Sequence, residues 1–365
     1  MRKALFFLLV LALLAVPALA SDSWTMIRKD AVHSSYTDGA LAPPLKQEWS
    51  KSLGGKIAGS PVVSGNTVYF TNGDGRSLHA MDLKTGSVLW KFDTSGPIES
   101  TPAIHNGSII LGSYDGYVYR LDEATGKQIW KAGAGSGMLS SPLAYDGRVY
   151  LGTDRGSFLA LDFETGKVVW SVKDGITQAS PAAWDGKIFI GMYDGWFYAL
   201  DAATGKTVWG YECNGTIHSS AAIYDGKVFV ASRDGTLYAF DAGNGNLLWA
   251  HDLGYRTDSS PSIDPKSGSV IIGTYGGYLK SIDAACGTLN WISDFYGPIY
   301  STSAVAGDTI YGCAQDGALF AVRSADGSKM WTHSLSDTTF ASPAISGGYL
   351  FTGSFNGNAM AFRHA

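Results

Sequence analysis

The stretch LDEATGKQIW, residues 121–130, holds an aspartate, a Thr-Gly turn signal and a tryptophan at fixed distances, and the chain repeats the arrangement. MDLKTGSVLW, LDFETGKVVW, LDAATGKTVW, FDAGNGNLLW, IDAACGTLNW and VRSADGSKMW are further copies, and PPLKQEWS is a partial one near the start. The tryptophans stand at Trp49, Trp90, Trp130, Trp170, Trp209, Trp249, Trp291 and Trp331, at spacings of 41, 40, 40, 39, 40, 42 and 40 residues. So regular a period marks one supersecondary unit repeated eight times.

Inside a unit such as SPAAWDGKIFIGMYDGWFYALDAATGKTVW (180–209), short apolar runs are separated by Asp-Gly and Thr-Gly dipeptides. Such dipeptides form tight hairpins because glycine adopts positive φ freely, so each unit is predicted to be a four-stranded antiparallel meander, A to D. Strand A is small throughout (SPVV, TPAI, SPLA, SPAA, SAAI, SPSI, TSAV, SPAI), whereas B, C and D carry Tyr, Phe, Leu and Trp. That taper suits wedges converging on an axis, and the fold expected is an all-β, single eight-bladed β-propeller with both faces of the outer strands apolar. Only seven D strands follow an A-B-C triplet. The eighth is expected to be the N-terminal strand around Trp49, joining the last blade and closing the ring without open edges; a seven-bladed ring with a loose tail is the alternative. The repeated tryptophans are then structural interblade residues, each burial contributing about 2 to 3 kcal/mol.

The expected division is a signal peptide over 1–20, a lead-in segment over 21–44 and the propeller over 45–365. Residues 1–20 pair Arg2 and Lys3 with an apolar run and end at Ala18-Leu19-Ala20, the anatomy of an export signal too short and proline-interrupted to span a membrane. Residue 21 is serine, so cleavage there leaves no lipid-accepting cysteine. The whole chain has 27 basic and 32 acidic side chains, and losing Arg2 and Lys3 moves the formal charge from −5 to about −7. With no Lys/Arg cluster, nucleic acid is not an expected partner. Cys213, Cys286 and Cys313 are odd in number and lack C-x-x-C spacing, and are read as unpaired or buried thiols.

The signature A-x-D-x-x-T-G-x-x-x-W, complete in ALDFETGKVVW (160–170) and ALDAATGKTVW (199–209), resembles the quinoprotein-type (PQQ-like) β-propeller repeat. The lead-in SWTMIRKDAVHSSYTDG followed by PPLKQEWS is similar to that of secreted proteins of the BamB-like outer-membrane assembly factor family. The resemblance implies an exported, periplasmic or extracellular, monomeric propeller that binds a protein partner in the cell envelope. The quinone-dependent members of the class carry an adjacent cysteine pair. None occurs here, so no cofactor is expected, PQQ included.

Enzyme motifs are missing: there is no H-E-x-x-H, G-x-S-x-G or G-x-G-x-x-G, and GKT at 205–207 reads as a hairpin. Each Asp-Gly turn supplies one oxygen ligand, too few for a calcium loop, so no metal site is assigned. The informative positions are those where the units differ. Just before the small triplet opening strand A stand Ala58, Glu99, Leu139, Gln178, His218, Asp258, Tyr300 and Phe340, which a propeller would ring around its axis. Glu99, Gln178, His218, Asp258 and Tyr300 form the candidate binding mouth, able to take a small polar ligand. The B-to-C loops expected on the same face add Tyr114, Arg155, Tyr193, Arg233, Tyr275, Gln315 and Phe355, a composition suited to protein contact. A non-catalytic protein-binding scaffold is the leading expectation. The alternatives are a small quinoprotein-like or metal-dependent enzyme, with Asp258 or Glu99 as base and His218 as acid or ligand, and a cell-surface adhesive or carbohydrate-binding module.

Overall fold

The computed structural model describes residues 23–173 and 177–365; the leader assigned to 1–20 lies outside the described residues. Strands alone make up the regular structure of the described residues, arranged in eight antiparallel blades. Blade 4 is representative, with A at Ala182–Trp184, B at Lys187–Gly191, C at Trp196–Asp201 and D at Thr207–Glu212. No helix is long and apolar enough to cross a membrane among the described residues.

Closure follows the strand count. Leu45–Ser52 pairs antiparallel with Asn358–His364, Trp49 opposite Ala361, and supplies the D strand of blade 8. The repeat motif has two interlocked functions. Within a turn, the aspartate caps the backbone: Asp82 Oδ1 accepts from Thr85 N and Thr85 Oγ1, both at 2.8 Å. Between blades, the positive-φ glycine of each turn lies on the tryptophan of the preceding blade. A β-carbon at Gly126 would come within 2.4 Å of the Trp90 ring, so the site needs glycine for its conformation and for its neighbour. The indole N–H groups reach over the same junction, Trp130 Nε1 donating to Phe163 O at 3.0 Å and Trp291 Nε1 to Ser324 O at 2.8 Å.

The outer strands depart from the expected two-sided burial. In Val88–Asp93, Val88 and Leu89 are 52% and 55% exposed, and corresponding aliphatics recur on other D strands. Blades pack through A, B, C and the tryptophan, and the D strand forms the rim.

At the axis the small strands do more than save space. In seven of the eight blades the backbone N–H of the opening residue donates to the hydroxyl of the next blade: Ser60 to Thr101, Thr101 to Ser141, Ser141 to Ser180, Ser180 to Ser220 and Ser220 to Ser260, all at 2.9–3.0 Å. The chain of bonds resumes from Thr302 to Ser342 and returns from Ser342 to Ser60. These hydroxyls satisfy buried inner-edge amides that have no strand beside them.

The lead-in segment lies inside the ring. Trp24 bridges Val63 of blade 1, and carbonyls of Thr25, Ala31, Val32, Ser34 and Ser35 accept from Ile104, Ala183, Ile223, Ile263 and Val305 of blades 2, 4, 5, 6 and 7. Tyr36–Thr37 then adds as a parallel strand to Ala304–Ala306 of blade 7. The segment is thus a belt that makes a circuit of the inner edges before entering blade 8. Arg28, 2% exposed, donates to the carbonyls of Ser220, Ala221, Pro261 and His33. Arg28 and His33 are thus buried against the inner edges of blades 5 and 6.

Burial of neutral histidines makes stability pH-dependent. His79 is held down to about 4 by burial, aided by Lys91, and burial holds His33 well below its ordinary 6.5. With folded values below unfolded ones, the unfolded chain binds more protons in that window, so stability is present above pH 6.5 and lost as pH falls toward 4. His79 alone should account for about 2 kcal/mol once solvent screening is allowed for. Urea midpoints at neutral pH and near pH 4.5 test this: the drop should shrink in His79→Gln, and an unchanged drop removes the assignment.

Candidate functional site

The D-to-A and B-to-C loops of each blade meet on one face because they hydrogen-bond to each other. Tyr114 N donates to Pro97 O, Arg233 N to Thr216 O, Tyr275 N to Arg256 O and Phe355 N to Thr338 O, at 2.9–3.1 Å. The loops frame a cavity of about 390 Å³ lined by Leu139, Gln178, His218, Asp258, Tyr275, Tyr300 and Phe340.

Asp258 is the centre of its polar side. Arg233 holds the carboxylate with two parallel bonds, Nε to Oδ1 at 2.6 Å and Nη2 to Oδ2 at 2.7 Å, and Tyr275 Oη donates to Oδ2 at 2.9 Å. Burial pushes the Asp258 carboxyl up, but the bonds from Arg233 and Tyr275 outweigh it and leave the group below the usual carboxylate range. His218 Nδ1 stands 3.8 Å from Asp258 Oδ1, and its ring is 4.4 Å from that of Tyr193 between centroids. Burial lowers the His218 pKa, Asp258 opposes it more weakly and Arg233 adds to the lowering, so the imidazole is neutral at pH 7.

The other side is aromatic. Tyr275 meets Tyr300 at 4.6 Å, Tyr300 meets Phe340 at 4.9 Å and Phe340 meets Phe355 at 4.7 Å between ring centroids. Lys56 continues the arc, its ammonium 4.5 Å from the Phe355 ring centroid and 3.5 Å from Glu99 Oε1. Arg256 covers Tyr275 at 4.2 Å. Lys56 and Arg256 share one repeat position, two residues before Ala58 and Asp258, with carbonyls that accept from Gly73 N and Tyr275 N; it does not stand out in the sequence because the intervening units carry Pro97, Gly137 and Thr216 there.

The structure brings Gln178, His218, Asp258 and Tyr300 of the expected mouth together and sets Glu99 apart, paired with Lys56. Tyr193, Arg233, Tyr275 and Phe355 surround the cavity, and Gln315 is tied through its backbone N–H to Pro298 O. Tyr114 and Arg155 line a second groove of about 560 Å³ between blades 2 and 3. Arg155 is displaced by one position. Asp154 N donates to Gly137 O as Tyr114 N does to Pro97 O, so Asp154 occupies the inward place, its carboxyl raised by burial and by Glu99. The positive-φ glycines Gly116 and Gly156 fix this register, and counting back from them identifies Asp154.

Among the described residues no group of three or more His, Cys, Asp or Glu side chains is placed to hold a metal ion. The cysteines are all free, Cys213 and Cys313 buried and Cys286 exposed. The cavity lining has no lysine or arginine. A polycarboxylate quinone would meet Asp258 there with no counter-charge of its own, so the residues present do not fit that cofactor.

Comparison with known proteins agrees with this architecture. A family model described as "Outer membrane protein assembly factor BamB" matches residues 42–100, 76–183, 176–298 and 298–365. The outer membrane protein assembly factor BamB of Pseudomonas aeruginosa is 32% identical over 111 residues, which is 29% of this chain and only 28% of that protein. The crystal structure of BamB from Moraxella catarrhalis aligns with a TM-score of 0.77 at 20% identity, covering 87% of this chain and 99% of the other. The quinohemoprotein alcohol dehydrogenase from Comamonas testosteroni aligns at 0.79 with 17% identity, over 93% of this chain and 80% of its own, a likeness of fold alone. Because the family match runs through all eight blades, the chain belongs to the family of outer membrane protein assembly factor BamB.

Proposed function

We propose that this chain is an exported, non-catalytic propeller scaffold that binds a protein partner on its loop-bearing face during outer-membrane protein assembly. Family membership and the leader-like residues 1–20 support the setting. One observation carries the choice of face: the continuous arc from Tyr275 through Tyr300 and Phe340 to Phe355 beside the Arg233–Asp258 pair. Interface hot spots are enriched in tyrosine and arginine, and pre-paired charges and packed rings lose little conformational freedom on binding.

Photo-crosslinking in envelope preparations tests the assignment, with the crosslinker at Tyr193 or Phe340 and, as a control, at Lys206 on the opposite face. A discrete adduct is expected from the first two positions and not from Lys206. Arg233→Glu sets a second carboxylate against Asp258 and should weaken capture of the same partner by about ten-fold or more. Adducts of equal yield from Lys206, or capture unaffected by Arg233→Glu and Tyr193→Ala, would remove this face from the function.

A further inference from the structure

The cavity holds a buried polar atom that nothing in the chain satisfies. The His218 side chain is 9% exposed and borders the cavity, and its Nε2 has no hydrogen-bond partner. Buried ring nitrogens are ordinarily paired. The Asp258 carboxylate beside Nδ1 favours the tautomer that carries its proton there, which leaves Nε2 an unpaired acceptor buried in the wall of the cup.

The remaining lining has the same polarity. Asp258 Oδ1 accepts Arg233 Nε at 2.6 Å and has a lone pair to spare, and Gln178 brings an amide oxygen. Tyr300 and Phe340 add aromatic rings, electron-rich at their face centres, beside Tyr275, which already carries Arg256 at 4.2 Å. Arg233 is committed to Asp258 by both of its bonds. A carboxylate entering this cup would meet Asp258 beside an Arg233 already paired with it, a quaternary ammonium would offer the acceptors no N–H, and a neutral amide would leave the aromatic wall unused. We infer that the mouth is a receptor for one organic cation bearing N–H donors, a lysine ammonium or an arginine guanidinium, inserted as a single side chain by the protein partner. This rests on the protein-binding reading of the same face and specifies what the partner must present. At about 390 Å³ the cup has room for one long side chain and accompanying water.

The test uses the whole chain and three capped tripeptides, acetyl-Gly-Arg-Gly-amide, acetyl-Gly-Lys-Gly-amide and acetyl-Gly-Gln-Gly-amide, titrated by calorimetry. The arginine or lysine peptide should saturate at about millimolar concentration and bind about ten-fold more tightly than the glutamine peptide. His218→Leu and Tyr300→Ala should each weaken it about five-fold or more. Tyr300 is half-buried at the rim, so its variant carries the test if His218→Leu fails to fold. Acidification below the depressed His218 pKa should also weaken binding, because Nε2 then becomes a donor beside Arg233, with Asp258 and Tyr193 the other groups facing the ring. Equal binding of the glutamine peptide, no saturable binding of either basic peptide, or full binding by both variants overturns the inference. Crosslinks from Tyr193 and Phe340 that persist in any of those cases leave the scaffold reading standing and remove only the cation.

Discussion

Replacement of Trp49 by alanine is expected to cost about 4 kcal/mol and to shift the urea unfolding midpoint sharply downward. Trp49 is 7% exposed, packs against Phe70 and Phe351 at centroid distances of 6.3 and 6.1 Å, and donates from Nε1 to Leu83 O at 3.0 Å. Its strand also joins the two ends of the chain, pairing with Asn358–His364. Losing this contact therefore weakens the closure on which every other blade depends. Trp331→Ala removes the same atoms from a different setting, since blade 8 takes its D strand from the N-terminal segment and has no C-to-D turn to cover the ring. That variant should cost about 1 to 2 kcal/mol. Equal losses in the two would mean that closure adds nothing beyond side-chain burial.

Parts of the structure with a local cause could be read from the sequence. The 40-residue period specifies turn, cap and interblade contact together, as the Asp82–Thr85 cap and the Gly126–Trp90 contact show, and it led to eight blades and to Trp49 as the closing strand. Loop positions on the mouth followed from that period, apart from the one-residue offset at Arg155. What stayed hidden has no local cause. The SP and TP openings show only their small size in the sequence, whereas the role of their hydroxyls as acceptors for a neighbouring blade appears only once eight inner edges converge. The belt is the strongest case. Arg28 and Lys29 both have positive φ, although neither is a glycine or a residue type enriched there, so tertiary contacts impose these conformations against local preference.

The same conflict makes Arg28 the most consequential side chain outside the repeats. Burial pushes its pKa down to about 9, so the guanidinium is still charged at neutral pH, and it answers four main-chain carbonyls from blades 5 and 6 and from the belt itself. Methionine fits the length of the side chain but leaves those acceptors unpaired in a region without bulk water, a loss of about 3 kcal/mol or more. Because the belt is held at positive φ by these bonds, Arg28→Met should release it before the blades separate. Limited trypsin digestion of the folded variant should then cut at Lys29, and the thermal transition should move down. Reversion by Arg28→Lys should be partial, since one ammonium cannot reach all four carbonyls as the planar fork does. If Arg28→Met resists cleavage at Lys29 and melts with the parent chain, the backbone bonds to the A strands suffice to seat the belt, and the guanidinium is not what holds it there.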